Sequence, residues 1–475
     1  MSTKYLKRFF KPQSIAVFGA SEREDSMGGV VLSNLIESQF AGKLMAVNAQ
    51  GYDQVYGIQC YRSVADLPEM PDLAIICSPP ESVAGIIRKL GANMVKAAMI
   101  LTGGLNPEDK AHSQSLREEV REAARPYGIR ILGPDCMGLL VPGSKMNASY
   151  AHVNIRKGKV AYVGQSGLLG TAMIDWASGQ EIGFSHFLTL GEGVDVDLPA
   201  IIDYLAKEPA TQAILLQMDR IIGSSRNFVS AVRAASRNKL VLVLKSNIIQ
   251  DGRYTVELAP GIDDEDRVYD AALRRAGAVR VETSDQLFNA LETLSRMKPM
   301  RGERLAIVCN GMGPNALAND RLLRKQGKLA EITEDTRQAI AELLPASWNG
   351  QNPVDLNTDA TPERFAEVIR LLTKDPNVDA VLSIHAPTRM AASVATADEV
   401  IKIARKTPRN VLTCWMGRYS AIEARNHCNA AGIPTFMTPE ESVDAFMQMV
   451  EYHRNQAAMR QTPAPFHLHN LPNRE

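Results

Sequence analysis

Short runs of β-branched and apolar residues, each followed by a helical pattern, recur along this 475-residue chain and restrict its fold more than any other feature. Strands that return parallel to one another need crossover helices, and those helices cover both faces of the sheet. A first series has strand candidates at Ser14–Phe18, Leu44–Asn48, Leu73–Cys77, Ala97–Leu101 and Arg130–Leu132. Helical stretches such as Ser82–Leu90 and Ser113–Ala124 separate them. A second series runs from Lys159–Val163 through Ser185–Leu190, Ala213–Gln217, Leu240–Lys245 and Val279–Val281 to a helix at Asp285–Met297. A third runs from Arg304–Val308 through Ala380–His385, Asn410–Trp415 and Thr435–Met437 to a helix at Glu440–Asn455. The expected class is α/β, with a Rossmann-like domain over residues 1–145 and flavodoxin-like parallel-sheet domains over 146–298 and 299–460. Residues 461–475, rich in proline and without periodicity, read as a linker or tail, as where a longer protein is cut, or stops naturally, at a domain boundary.

The second and third series read as tandem copies. Ala276-Gly277, Val281, Thr283, Asp285 and Ala290 recur without a gap as Ala431-Gly432, Phe436, Thr438, Glu440 and Ala445. Both begin with a strand and a glycine-containing turn, Gly164-Gln165-Ser166-Gly167 and Asn310-Gly311-Met312-Gly313.

Lys+Arg and Asp+Glu both number 53, so the chain has no net field to gather nucleic acid or an anionic membrane, and neither is expected as a partner. No run approaches the roughly 20 apolar residues of a membrane span, and Met1–Phe10 lacks the apolar core of a signal peptide. The six cysteines form no CxxC pair and no zinc spacing, so no metal site is expected. Scattered free thiols point to a reducing, cytoplasmic setting.

The first strand runs into Gly19-Ala20-Ser21, and Gly28-Gly29 precede a helix expected to start near Val30. Gly19 permits a sharp turn, Ser21 offers a hydroxyl, and Gly28 and Gly29 remove side chains where a phosphate would meet backbone N–H groups. A nicotinamide cofactor would also want Asp or Glu after the second strand. Asn48-Ala49-Gln50 stands there instead, which suits a ligand with a phosphorylated ribose, such as coenzyme A (CoA). Ser78-Pro79-Pro80 and Thr102-Gly103-Gly104 end two further strands and would line the same crevice.

Taken together, Ser14-Ile-Ala-Val-Phe-Gly-Ala-Ser21, Arg130-Ile-Leu-Gly-Pro-Asp-Cys-Met-Gly138, Val163-Gly-Gln-Ser-Gly167 and Asn352-Pro-Val-Asp355 resemble the NDP-forming acyl-CoA synthetase superfamily. The resemblance implies a CoA-binding domain followed by two succinyl-CoA synthetase-like domains, with CoA or acetyl-CoA as ligand. It adds Gly133 and Pro134 to the CoA contacts and makes Gln165, Ser166 and Gly167 a phosphate loop. Ala234-Ala-Ser-Arg-Asn-Lys239, Ala290–Met297 and Phe446–Asn455 look most like the N-terminal half of bacterial Pat-type protein lysine acetyltransferases. That family implies ATP-grasp and GNAT domains in the full-length protein or on another chain, and a homo-oligomer.

In the superfamily a histidine in a Ser-His-Thr-Gly turn carries the phosphoryl group, after a strand ending Lys-Ser. The strand here ends Lys245-Ser246, and by spacing Ala259 takes the histidine position. A methyl group accepts no phosphoryl group. None of the eight histidines stands in a glycine-flanked mobile turn. The companion glutamate position reads Asp219, and Asp135 replaces the asparagine of the family's Gly-Pro-Asn-Cys turn. The favoured expectation is a catalytically degenerate module that binds CoA or acetyl-CoA as the regulatory part of a lysine acetyltransferase. The alternatives are an active ADP-forming acyl-CoA ligase α-type subunit with a separate ATP-grasp chain, and a scaffold that binds no nucleotide.

Overall fold

The computed structural model describes residues 4–23, 25–103, 110–246, 262–346 and 348–460. Ala259, Gly104 and the tail expected at 461–475 lie outside the described residues. Three sheets follow one another along the chain. Strands such as Ser14–Phe18, Ala213–Met218 and Ala380–His385 are buried at every position, as helices on both faces require.

In the first sheet the parallel strands lie in the order Ile58–Tyr61, Lys43–Val47, Ser14–Phe18, Leu73–Ile76, Ala97–Ile100, Arg130–Leu132. In chain order this is 3-2-1-4-5-6, the dinucleotide-fold order, and Gln54–Val55 adds one antiparallel edge strand. The order reverses beside Ser14–Phe18, so a crevice opens at the carboxyl end of that strand.

The parallel strands of the second sheet are Arg156–Gly164, Gly183–Thr189, Ala213–Met218, Leu240–Lys245 and Val279–Val281, in the order 2-1-3-4-5. In the third sheet Arg304–Cys309, Lys328–Leu329, Ala380–His385, Asn410–Trp415 and Thr435–Phe436 repeat that order. Local chemistry repeats too. Thr283 caps the helix Ser284–Arg296 by accepting from Gln286 N, and Thr438 accepts from Glu441 N at the head of Pro439–Arg460. Gln286 and Glu441 reach back to Glu282 N and Met437 N. Each is a reciprocal cap on the last helix of its unit.

Two expectations need correction. The hairpin Gly138–Val141 and Met146–Ser149 pairs antiparallel with Gly183–Thr189, so the second sheet takes up residues on both sides of the expected 145/146 boundary. The first crevice's helix begins at Met27 rather than near Val30, capped by Ser26, whose Oγ accepts from Gly29 N. Among the described residues no helix is long and apolar enough to cross a membrane, and no three His, Cys, Asp or Glu residues are grouped to hold a metal.

The second and third units meet through a buried ion pair. Arg296 and Glu292 have side chains only 6 % and 3 % exposed and pair with each other. Arg296 also donates to Asn429 Oδ1 and Gln180 O, both at 2.7 Å, and Glu292 Oε1 accepts from Thr435 N at 3.1 Å. Arg296→Met strands a buried carboxylate and is expected to destabilise the joined units by about 3–5 kcal/mol in urea unfolding. Adding Glu292→Gln is expected to recover much of that loss.

Two buried histidines set an acid limit. His186 packs against Phe10 and Tyr204, and His385 between Phe365 and Trp415. Burial lowers each to about 4 from 6.5. The unfolded chain therefore binds more protons between these values, so this stability is complete above pH 6.5 and drains away as pH falls toward 4. Each histidine contributes about 3 kcal/mol to that loss. A stability–pH profile of His385→Gln is expected to be shallower over this interval than that of the unmodified chain.

Candidate functional site

The first crevice measures about 680 Å³ and lies at the carboxyl edge of the first sheet. Gly19, Ser21, Asn48, Ser78, Pro79, Thr102 and Gly103, drawn from four strand ends, all line it. Gly19 has φ +84°, and its N–H donates to Val47 O at 2.8 Å, which fixes the turn against the second strand. Asn48 Nδ2 donates to Ala20 O at 2.8 Å, and Asn48 Oδ1 accepts from Gln50 N at 2.9 Å. Its amide therefore braces the turn. Thr102 Oγ1 donates to Ser78 O at 2.7 Å and ties the third and fourth walls together.

Ala20, Gly28, Gly29, Pro80, Gly133 and Pro134 stand behind this lining. Gly28 and Gly29 do not clear space for a ligand as expected. They lie in the first turn of the helix, where a Cβ on Gly28 would stand 2.4 Å from Gly19 O and one on Gly29 2.2 Å from Ser21 O. Their bare backbone lets the helix press against the turn. Pro80 opens the helix Pro80–Ala92. Gly133 and Pro134 lie in a turn packed against the end of Ala97–Ile100, where a Cβ on Gly133 would stand 2.2 Å from Ile100 O.

Among the described residues the crevice also carries three cations that the sequence reasoning missed, Arg23, Arg62 and Lys89, against one carboxylate, Asp25. Small walls, a glycine turn at a helix N-terminus and surplus positive charge together fit a phosphate-bearing ligand. Arg62 escaped notice because it follows a four-residue strand, Ile58–Tyr61, too short to read as one.

A second crevice, about 490 Å³, opens on the second sheet and is lined by Gln165, Ser166, Gly167, Asp135, Glu192, Asp219 and Arg220 among others. Ser166 caps the helix Gly167–Gly179 by accepting from Leu169 N. Gln165 Oε1 accepts from Asp219 N and Arg220 N, and its Nε2 donates to Arg220 O. Gln217 is the residue missed here. Its Oε1 accepts from both Gln165 N and Ser166 N at 2.9 Å, and its Nε2 donates to Asp219 Oδ1 at 2.9 Å. A glutamine inside an otherwise apolar, fully buried strand was the available signal, since buried amides need partners.

These bonds hold the loop rigid but also occupy two of its amides. Asp135, Glu192 and Asp219 share this lining with Arg220, and Glu192 Oε2 pairs with Arg117 at 2.8 Å. Burial pushes the Asp135 carboxyl up from its ordinary value, and the residue has φ +56°. Ser246 donates to Asp219 Oδ1, as Gln217 does, so this acid is held in place. The second crevice is thus structured, and its charge favours anions much less than the first does.

Comparison with known proteins agrees with this architecture. A model described as "CoA binding domain" matches residues 13–142, and one described as "Succinyl-CoA ligase like flavodoxin domain" matches residues 157–294. The acetate–CoA ligase [ADP-forming] I of Archaeoglobus fulgidus is 32 % identical over 96 % of this chain, which spans 65 % of that relative's length. The acetate–CoA ligase [ADP-forming] II subunit alpha of Pyrococcus furiosus is 31 % identical, over 95 % of this chain and 98 % of that subunit. Among solved structures, the apo dinucleotide-forming acetyl-coenzyme A synthetase 1 of Ca. Korarchaeum cryptofilum superposes with a TM-score of 0.88 at 27 % identity, covering 95 % of this chain and 98 % of its own. With its sheet orders, its phosphate-ready crevice and a relative matched almost end to end, the chain belongs to the NDP-forming acyl-CoA synthetase family, of the α-subunit type.

Proposed function

We propose that this chain is the CoA-binding, α-type half of an ADP-forming acyl-CoA ligase and works with an ATP-grasp segment that its described domains do not include. CoA or acetyl-CoA lies in the first crevice, with its phosphates at the Gly19 turn. Its thiol or thioester end points past Gly103 toward the second crevice. The observation that carries this reading is the first crevice itself, where three cations and a glycine turn share one lining at the switch point of a 3-2-1-4-5-6 sheet. The activities for which the relatives are named, acetate–CoA and 4-hydroxybutyrate–CoA ligation with ADP formation, support it.

A second reading rests on two sequence positions. Ala259 stands where the resemblance puts the phosphoryl-carrying histidine, and Asp219 where it puts a glutamate. A chain so altered binds CoA or acetyl-CoA without turning over ATP, as the regulatory N-terminal part of a protein lysine acetyltransferase.

Calorimetry is expected to detect binding of CoA and acetyl-CoA. Gly19→Val, whose Cβ would press on Cys77 O at 2.8 Å, is expected to weaken both at least about tenfold, roughly 1.4 kcal/mol. Absence of heat with the unmodified chain at millimolar ligand would remove both readings. Incubation with labelled ATP and an ATP-grasp subunit separates them. An acid-labile, base-stable phosphoryl label on this chain marks the active ligase, and its absence marks the regulatory reading that Ala259 favours.

A further inference from the structure

In a sheet of the 3-2-1-4-5-6 order, the end of the second strand faces the ribose of a bound nucleotide. A carboxylate there pairs with ribose hydroxyls, and an arginine nearby accommodates a ribose phosphate. The second strand of this chain, Lys43–Val47, is followed by Asn48-Ala49-Gln50-Gly51, which carries no charge. Asn48 is already committed to Ala20 O and Gln50 N.

A cation reaches this place from the neighbouring strand. Ile58–Tyr61 runs parallel to Lys43–Val47 with Tyr61 opposite Val47, so the next residue, Arg62, emerges at the same edge. Asn48 N donates to Tyr61 O at 2.9 Å and holds the two strand ends together. The Arg62 guanidinium lies on the backbone of Gly51, where a Cβ would stand 2.9 Å from its Nε, 3.1 Å from its Nη2 and 3.2 Å from its Cζ. Gly51, at φ +79°, therefore leaves room for the guanidinium to lie there. Arg62 lines the first crevice beside Asn48, Ala49, Gln50 and Tyr52. Among the described residues no carboxylate is paired with it.

We propose that Arg62 reads the 3′-phosphate of CoA, supplying from the third strand the charge missing after the second. The fork geometry of a guanidinium suits a phosphate dianion, and contact with Gly51 restrains it before the ligand arrives. The other lining cations lie elsewhere, Arg23 in the Gly19 turn and Lys89 on the helix Pro80–Ala92. The inference rests on the CoA reading and adds a specificity to it, for a coenzyme whose ribose is phosphorylated.

The test compares CoA with dephospho-CoA, which lacks only the 3′-phosphate, by calorimetry on the full chain. The unmodified chain is expected to prefer CoA. Arg62→Gln is expected to weaken CoA by about tenfold to a hundredfold, the size of a charge-assisted contact, and to leave dephospho-CoA unchanged. Arg62→Lys is expected to recover part of the preference. Arg62 is exposed, so a thermal melt of the Gln variant should match the unmodified chain. Equal weakening of both ligands, or selective loss in Lys89→Gln instead, overturns the role of Arg62 while CoA binding stands. If the unmodified chain binds neither ligand, the CoA reading itself fails and this inference falls with it.

Discussion

The first crevice depends on a helix backbone pressed against a turn. Gly28 and Gly29 bring the helix Met27–Glu37 so close to Gly19 and Ser21 that even a methyl group on either would meet a carbonyl oxygen. Overpacking of that kind costs about 1–3 kcal/mol and displaces backbone. The turn is held from the other side by Asn48, whose amide reaches Ala20 O, and by the bond from Gly19 N to Val47 O. Held on both sides, it keeps the helix N-terminus and the turn as one rigid surface. A phosphate meeting that surface does not have to organise it first.

Much of this could be read from residue patterns. Mostly apolar runs such as Leu240–Lys245 and Ala380–His385 marked buried parallel strands, and the Thr283 and Thr438 positions marked equivalent helix starts. The rest was hidden for physical reasons. Gly28 and Gly29 look like loop residues because glycine is a poor helix former, but here tight packing outweighs propensity. The hairpin around Pro142–Ser144 consists of two four-residue strands, too short for alternation to show, and its sheet membership depends on contacts with distant Gly183–Thr189. Arg62 and Gln217 act through neighbours brought together only by strand pairing. The CoA reading drawn from Gly19 and Asn48 agrees with the family the comparisons show. The closer likeness to lysine acetyltransferases does not appear among the relatives reported, whose names are those of ADP-forming ligases.

The second and third units share one sheet order and differ in the chemistry they carry. In both units an amide side chain at the end of the first strand bridges to backbone beyond the third. Gln165 does so to Asp219 and Arg220, and Asn310 exchanges two bonds of 2.8 Å with Ala386. The copies then part company. The second unit turns acids toward its crevice, whereas the third surrounds its own with the carboxamides Asn315, Asn319, Asn349 and Asn357, plus Asp355. One scaffold thus offers two unlike chemical surfaces at the same topological place.

The turn Gly133-Pro134-Asp135 is a party wall. Asp135 N donates to Thr102 O on the first sheet's side, while Pro134 O and Gly133 O accept from Glu192 N and Val194 N on the second's. Asp135 Oδ1 would lie 3.0 Å from a Cβ on Gly103, a residue of the first crevice, yet Asp135 itself lines the second. The two chambers therefore meet across this turn, Gly103 on one side and Asp135 on the other. Whatever work an occupant of one chamber does in shifting that partition is returned in equal measure to an occupant of the other, because such coupling is reciprocal.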